Sequence, residues 1–292
     1  MSSDFLHQMA ASSRARVQLA RRALPDAALL DLALASPVPP GLRRDAAGFD
    51  LIAELKLRSP AAGQLKSADE DVESRVTAYA RAGAAAVSIL TEPSRFDGSM
   101  SHLRGGASAL RELRVPAIRK DFLVDPYQVV EARAAGAGGV LVILRMLSPQ
   151  ETAALLECAR ALGLFVLLEA FDERDIEQMH ELVAVRAQED HFAQGDLLVG
   201  VNCRDLTTLQ VVPHRLEQLA HLLPSSVPRV AESGVGTAED ARRVSAAGYE
   251  FALVGSALMQ GGDPCALARA MLEAGRAAQR PQRAAKSAHR AG

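Results

Sequence analysis

Eight short apolar runs, each followed by a helix-like stretch, restrict what this chain can fold into. The runs are FDLIAELK (49–56), AAVSILT (85–91), PAIRKDF (116–122), GVLVIL (139–144), LFVLLEA (164–170), LLVGVN (197–202), PRVAES (228–233) and FALVGS (251–256). The segments between them read as helices. ADEDVESRVTAYARAG (68–83) and SPQETAALLECARALG (148–163) open near a Ser or Asp suited to an N-cap and close at a glycine, and TAEDARRVSAAG (237–248) repeats that grammar. Strands separated by helices pair in parallel, because a parallel connection needs a crossover. Nearly continuous apolar runs suit strands covered on both faces. Eight such units predict a (β/α)8 TIM barrel over 49–274. An open doubly wound sheet is the alternative, but the first turn, AELKLRSPAAG, lacks the GxGxxG pattern of that fold. Residues 1–48 precede the first strand and are expected as extra N-terminal helices packed on the barrel.

Composition narrows the function. The chain has 292 residues, is 49% hydrophobic and carries a formal charge of −2, so no overall basic field invites nucleic acid. Its three cysteines (158, 203 and 265) lack metal-type spacing, and no HExxH pairs its seven histidines, so no metal is assigned. The first residues lack the apolar core of a signal peptide and no apolar run could span a bilayer. A cytoplasmic enzyme without membrane contact is expected. Residues 275–292, rich in Arg and Ala, are expected as a basic disordered tail. The crossover between Glu169 and Leu197 is longer than its neighbours, and 183–196 is read as a tolerated insertion.

Polar residues gather where the runs end, which is where barrel enzymes build their sites. Strand side chains alternate, so residues two apart share a face. Glu54 and Lys56 face together, as do Lys120 and Phe122, and Asn202 and Arg204. Glu169, Glu232 and Ser233 end two further runs, and Gly255 and Ser256 end the last. Any one of these alone reads as a solvated strand end. Together they would put charge on a shared inward face, which is costly without a use. Arg119 and Asp121 have the opposite parity and are expected to pair with each other, away from the interior. The Ser-Gly and Gly-Ser turns after the last two runs offer backbone N–H groups and helix N-termini, a common phosphate seat in this fold.

Seven segments, in order, resemble the indole-3-glycerol-phosphate synthase family: IAELKLRSPAAG, SILTEPSRFDGS, PAIRKDFLVDPYQVVEARAAGA, LLEAFDE, VGVNCRDLTTL, VAESGV and LVGSALMQGGDP. The resemblance implies ring closure, decarboxylation and dehydration of 1-(2-carboxyphenylamino)-1-deoxyribulose 5-phosphate, with no cofactor or metal. It implies Lys120 as general acid, with Glu54 beside it. Lys56 would be the partner of the substrate carboxylate and could act as an acid in dehydration. Glu169 would be the base, and Asn202 and Glu232 would hold ribulose hydroxyls. Phe96 and Phe122 would flank the aromatic ring, Arg204 would be a supporting cation, and Ser59, Ser233, Gly234, Gly255 and Ser256 would seat the phosphate, with Leu253 beside them. The partner is a small molecule, and a monomer or weak homo-oligomer is expected. Two departures stand out. Ala61 replaces a serine common after the first strand, and Cys203 stands where Asn or Ser is usual; it is read as a packing thiol. Other readings are a different phosphate-binding barrel enzyme, such as phosphoribosylanthranilate isomerase, and a non-catalytic phosphometabolite binder.

Overall fold

Each of the eight runs forms a strand, and the strands close into one parallel ring. The computed structural model describes the side chains of residues 5–66, 70–185, 196–205, 208–260 and 262–279, with helical backbone continuing over 2–4, 186–188 and 280–290. The strands are β1 (Asp50–Leu55), β2 (Ala86–Leu90), β3 (Ala117–Lys120), β4 (Gly139–Ile143), β5 (Phe165–Ala170), β6 (Leu197–Asn202), β7 (Arg229–Glu232) and β8 (Phe251–Val254). Each pairs with its chain neighbours, and β1 closes against β8 through Asp50↔Phe251 to Ala53↔Val254. The open sheet is thereby excluded. Several strands end earlier than the apolar runs do. Asp121 and Phe122 lie beyond β3, and Ser256 opens a short helix (Ser256–Gln260) instead of ending β8.

Alternation along the strands builds two cores. One parity points outward to the helices: Leu51, Val87, Val140, Val166, Val199 and Ala231 belong to that layer. The other parity fills the barrel: Ile52, Ile118, Leu141, Leu167, Leu198, Val230 and Phe251 form the inner cluster. Burying each large aliphatic side chain contributes about 1.5–3 kcal/mol. Two residues further along four of these strands, the inward position changes from apolar to charged: Ile52 gives way to Glu54, Ile118 to Lys120, Leu167 to Glu169 and Val230 to Glu232. The apolar plug is therefore the floor on which a polar layer rests.

The helices form where their caps predicted. Asp71 accepts from the Ser74 amide at the start of Val72–Arg81, and Ser148 with Glu151, and Thr237 with Asp240, complete capping boxes. The chain reverses after the second of these helices at Gly163 (φ 67°), where a Cβ would be strained. A hairpin of Arg58–Ser59 against Gly63–Gln64 follows β1.

The first 48 residues carry two helices, α1 (Ser2–Ala23) and α2 (Asp26–Ala35). They are not equivalent. Helix α2 lies against the helix Pro126–Ala134 on the outside of the barrel. Helix α1 sends Leu6 and Met9 into the inner cluster, so it lies across the C-terminal mouth of the barrel.

Two boundaries differ from expectation. The last helix, Pro264–Arg290, runs unbroken through residue 275, where a disordered tail was expected to begin. At Gly275 a Cβ would meet the Phe49 ring at 2.1 Å, Arg276 reaches the Phe49 carbonyl and the Asp50 carboxylate at 3.0 Å, and the Gln279 amide donates to the Ser245 and Tyr249 carbonyls. Alanine-rich sequence favours helix, and polar contacts with the barrel floor take the place of the missing apolar burial. The helix after β5 covers Glu173–Gln188, so residues 183–188 of the expected insertion extend it by more than a turn. Residues 189–195 lie outside the described residues. Among the described residues, no helix is long and apolar enough to cross a membrane.

Candidate active site

The polar layer at the C-terminal ends of the strands surrounds a cavity of about 480 Å³. All fifteen residues singled out in the sequence line it: Glu54, Lys56, Ser59, Phe96, Lys120, Phe122, Glu169, Asn202, Arg204, Glu232, Ser233, Gly234, Leu253, Gly255 and Ser256. Residues from six strand ends, far apart in sequence, meet there because β1 and β8 close the ring.

Two ion pairs organise the charges. The Lys120 ammonium donates to Glu169 Oε2 at 2.9 Å, and Lys56 lies 2.6 Å from Glu54 Oε1. Glu54 and Glu169 are nearly buried, whereas the two lysine side chains keep 12–16% of their surface exposed toward the cavity. Each ammonium is thus held by a carboxylate and still faces the space a ligand would fill. Burial works against the charge on Lys120, but the carboxylates of Glu169, foremost, and Glu54 outweigh it and hold its pKa above the ordinary lysine value. Burial likewise raises Glu54, and Lys56, Lys120 and Arg204 more than offset it, so Glu54 stays ionised below the usual carboxylate range.

Glu232 is the opposite case. It is 1% exposed, and neither of its oxygens has a hydrogen-bond partner among the described residues. Burial and the neighbouring Glu169 charge push its pKa well above the ordinary value, against the pull of Lys120. Asn202 bridges the two halves of the layer: its Oδ1 accepts from the Arg204 amide at 3.0 Å and its Nδ2 points at Glu169 Oε1, 3.4 Å away. Arg204 donates its guanidinium to the Leu209 carbonyl, which fixes the loop after β6.

Arg119 and Asp121, on the opposite parity, form the centre of a buried network. Arg119 reaches Asp121 at 3.2 Å, Glu131 at 2.9 Å and the Gln128 carbonyl at 2.7 Å. Thr91 donates to Asp121, and Arg16 of α1 grips the same carboxylate with two hydrogen bonds of 2.7 and 3.0 Å. Ser13 of α1 donates to the Phe122 carbonyl. Asp121 also touches the cavity lining. The network clamps the segment that carries Lys120 and Phe122.

Phosphate-type donors are distributed differently from the simple expectation. The helix Ala238–Ala246 has its N-terminus capped from within: Asp240 accepts from the Gly236 and Thr237 amides. That leaves the Ser233–Gly234 turn, where both residues adopt left-handed φ of 67° and 69°, and the start of Ser256–Gln260. A left-handed serine at the mouth of a cavity is local strain of the kind that collects at functional sites. Cys203, 2% exposed, packs behind this turn, and burial raises its thiol to about 11, which suits a packing role.

Sequence reasoning missed Phe5 and Leu6. Both line the cavity from α1, and the Phe5 ring meets Phe122 edge-on with centroids 6.0 Å apart, while the tilted Phe96 ring lies 6.1 Å from Phe122. No motif marks them, since a helix preceding the barrel carries no strand parity to read. Phe5→Ala should raise KM for an aromatic ligand by about fivefold with kcat little changed, because it removes one ring contact and no polar group; steady-state kinetics would show it. Among the described residues, no group of three or more His, Cys, Asp or Glu side chains is placed to hold a metal ion.

Fold and site define a (β/α)8-barrel enzyme with paired acidic and basic groups at the catalytic mouth. The fold is shared with solved structures of thiamine phosphate pyrophosphorylase from Pyrococcus furiosus (TM-score 0.54, 18% identity, 80% of this chain and 99% of that one) and 3-hexulose-6-phosphate synthase from Salmonella typhimurium (0.57, 14%, 79% and 100%). At such identities the likeness concerns the fold alone. The family model for indole-3-glycerol phosphate synthase matches residues 7–271, and the chain belongs to that family of carboxy-lyases. It is 41% identical to the indole-3-glycerol phosphate synthase of Micrococcus luteus (84% of this chain, 88% of the relative) and 38% identical to that of Opitutus terrae (90% and 97%).

Proposed function

We propose that the cavity closes the indole ring of 1-(2-carboxyphenylamino)-1-deoxyribulose 5-phosphate and releases indole-3-glycerol phosphate, CO₂ and water. Family membership supports the activity, and the single observation that carries the residue roles is the pairing of Lys120 with Glu169 at 2.9 Å on the rim of one cavity. The ring carbon bearing the carboxylate attacks the ribulose carbonyl. Lys120 gives its proton to the oxyanion that develops there. An alkoxide is strongly basic, so even an ammonium with a raised pKa donates to it readily. The carbon–carboxylate bond then breaks, and its electron pair restores the aromatic ring. In the dehydration Glu169 takes a proton from the substrate, and Lys56, which first steadies the carboxylate, protonates the departing hydroxyl. Two protons are given and one is taken. The net uptake of one matches the loss of neutral CO₂ from a carboxylate.

The remaining residues position the substrate. Asn202 and Glu232 meet the ribulose hydroxyls. Phe96 and Phe122 flank the aromatic ring, and Leu253 adds an apolar contact. Ser59, Ser233, Gly234, Gly255 and Ser256 seat the phosphate, with Arg204 as a nearby cation. We place the enzyme in the cytoplasm, in tryptophan biosynthesis, acting as a monomer or weak homo-oligomer. The purified protein should convert the carboxyphenylamino sugar phosphate to a product with indole fluorescence, at equal rates with and without a chelator. A folded protein that leaves this substrate untouched would falsify the assignment.

A further inference from the structure

We infer that Gly200 is a positioning residue, whose missing side chain lets Glu232 lean across β6 beside Glu169. The inference rests on the reaction proposed above and adds a residue to it. Position 200 belongs to the inward parity of β6: Leu198 below it fills the barrel and Asn202 above it lines the cavity, while Val199 and Val201 point to the helices. It is level with Glu169 on β5 and with Val230 on β7. A Cβ built at position 200 would lie 2.2 Å from Glu232 Oε1 and 3.2 Å from its carboxyl carbon. The carboxyl group of Glu232 therefore occupies the space that any other residue at 200 would fill.

A glycine inside a buried strand loses packing and costs chain entropy, so it marks a place where something else must come close. Here that is a carboxyl group from the next strand. Lying in this gap, Glu232 is packed against Gly200 of β6 and feels Glu169 of β5, Lys120 of β3 and Glu54 of β1. It has no donor of its own. Two carboxyl groups in one dry site share a proton more readily than they both ionise. The gap thus presents Glu232 as a neutral acid beside the base Glu169, ready to donate to a substrate hydroxyl. Glu54 uses the same device at the other seam: a Cβ on Gly255 would meet Glu54 Oε1 at 2.3 Å.

The test is Gly200→Ala in the full chain, alone and combined with Glu232→Ala. The clash falls on the far end of a flexible side chain, so the variant should fold with Glu232 pushed aside. Leu167 Cδ1, 3.1 Å from the added methyl, needs only a small adjustment. Against the parent, kcat should fall about tenfold while KM changes little, because the phosphate and ring contacts lie elsewhere; in the Glu232→Ala background the same substitution should change kcat by less than about twofold. Equal losses in both backgrounds, or no loss in the parent, would overturn the inference. Melting temperatures give a readout that does not depend on the reaction. Gly200→Ala should lower the melting temperature of the parent but not that of Glu232→Ala, where the methyl fills vacated space. Should the single variant fail to fold, recovery of the fold in the double variant supports the gap and failure of both sinks it. A parent that turns over no carboxyphenylamino sugar phosphate would defeat the proposed reaction, and the melting comparison would still decide the role of Gly200.

Discussion

Lys120→Ala is expected to lower kcat by about 10³-fold, equivalent to roughly 4 kcal/mol of transition-state stabilisation. Two losses combine. The proton for the developing oxyanion disappears, and Glu169 loses the ammonium that holds it at 2.9 Å. Glutamine at this position separates the two effects, since its amide can still donate to Glu169 but has no proton to surrender. If Lys120→Gln is as inactive as Lys120→Ala while both melt near the parent, proton donation is the dominant role. A Lys120→Ala variant with parental turnover would remove this residue from the chemistry. The raised pKa adds a further expectation. Because the carboxylates of Glu169 and Glu54 keep Lys120 protonated, it should contribute no fall in rate between pH 6 and 9, and a pH–rate profile of the parent would show this.

Asp121→Asn should destabilise the fold by about 3–5 kcal/mol, the usual consequence of removing one partner from a buried ion pair. The substitution keeps the shape and removes the charge shared by Arg119, which is 2% exposed, and Arg16. Burial raises the Asp121 carboxyl, but the hydrogen bonds from Arg16 and the nearby Arg119 charge overcome this and hold it at about 2. A carboxyl depressed in the fold stabilises it at pH above its ordinary value of about 3.9, and the stabilisation is lost as pH falls toward 2. The parent should therefore lose stability steeply between pH 4 and 2. Asp121→Asn, already lacking that contribution, should show a shallower loss over the same interval. Chemical denaturation at pH 7, 4 and 2.5 would separate the curves; parallel losses in parent and variant would mean that Asp121 is not held as described. The variant should also bind substrate more weakly, because Arg16 and Ser13 clamp the segment bearing Lys120 and Phe122 through this carboxylate and the neighbouring carbonyl.

The two variants test different ways in which charge is used. Lys120 and Glu169 spend their pairing on a cavity-facing acid and base. Asp121, one residue away and on the other face, spends its own on holding the rim in place. Strand alternation separates these roles, and that alternation is legible in the sequence because it depends only on the parity of neighbouring residues. The positions of the helices were also legible, because the caps at Asp71, Ser148 and Thr237 are local devices whose hydrogen bonds span three residues. Composition was a poorer guide at 275–279. It judged burial by apolar content, whereas Arg276 and Gln279 are held there by carbonyls and a carboxylate of the barrel floor.

The amino-acid sequence alone determined the alternation of strand and helix, the inward parity of Glu54, Lys120, Glu169 and Glu232, and the family motifs that go with them. All of these depend on spacings of a few residues, which the chain carries wherever it goes. Only the tertiary structure decided which ammonium each carboxylate meets, that Phe5 and Leu6 of α1 wall the cavity, and that the empty face of Gly200 is filled by Glu232. Apart from the Lys56–Glu54 pair, those contacts join residues 30 or more positions apart, and they exist only once ring closure has fixed the tilt and register of neighbouring strands.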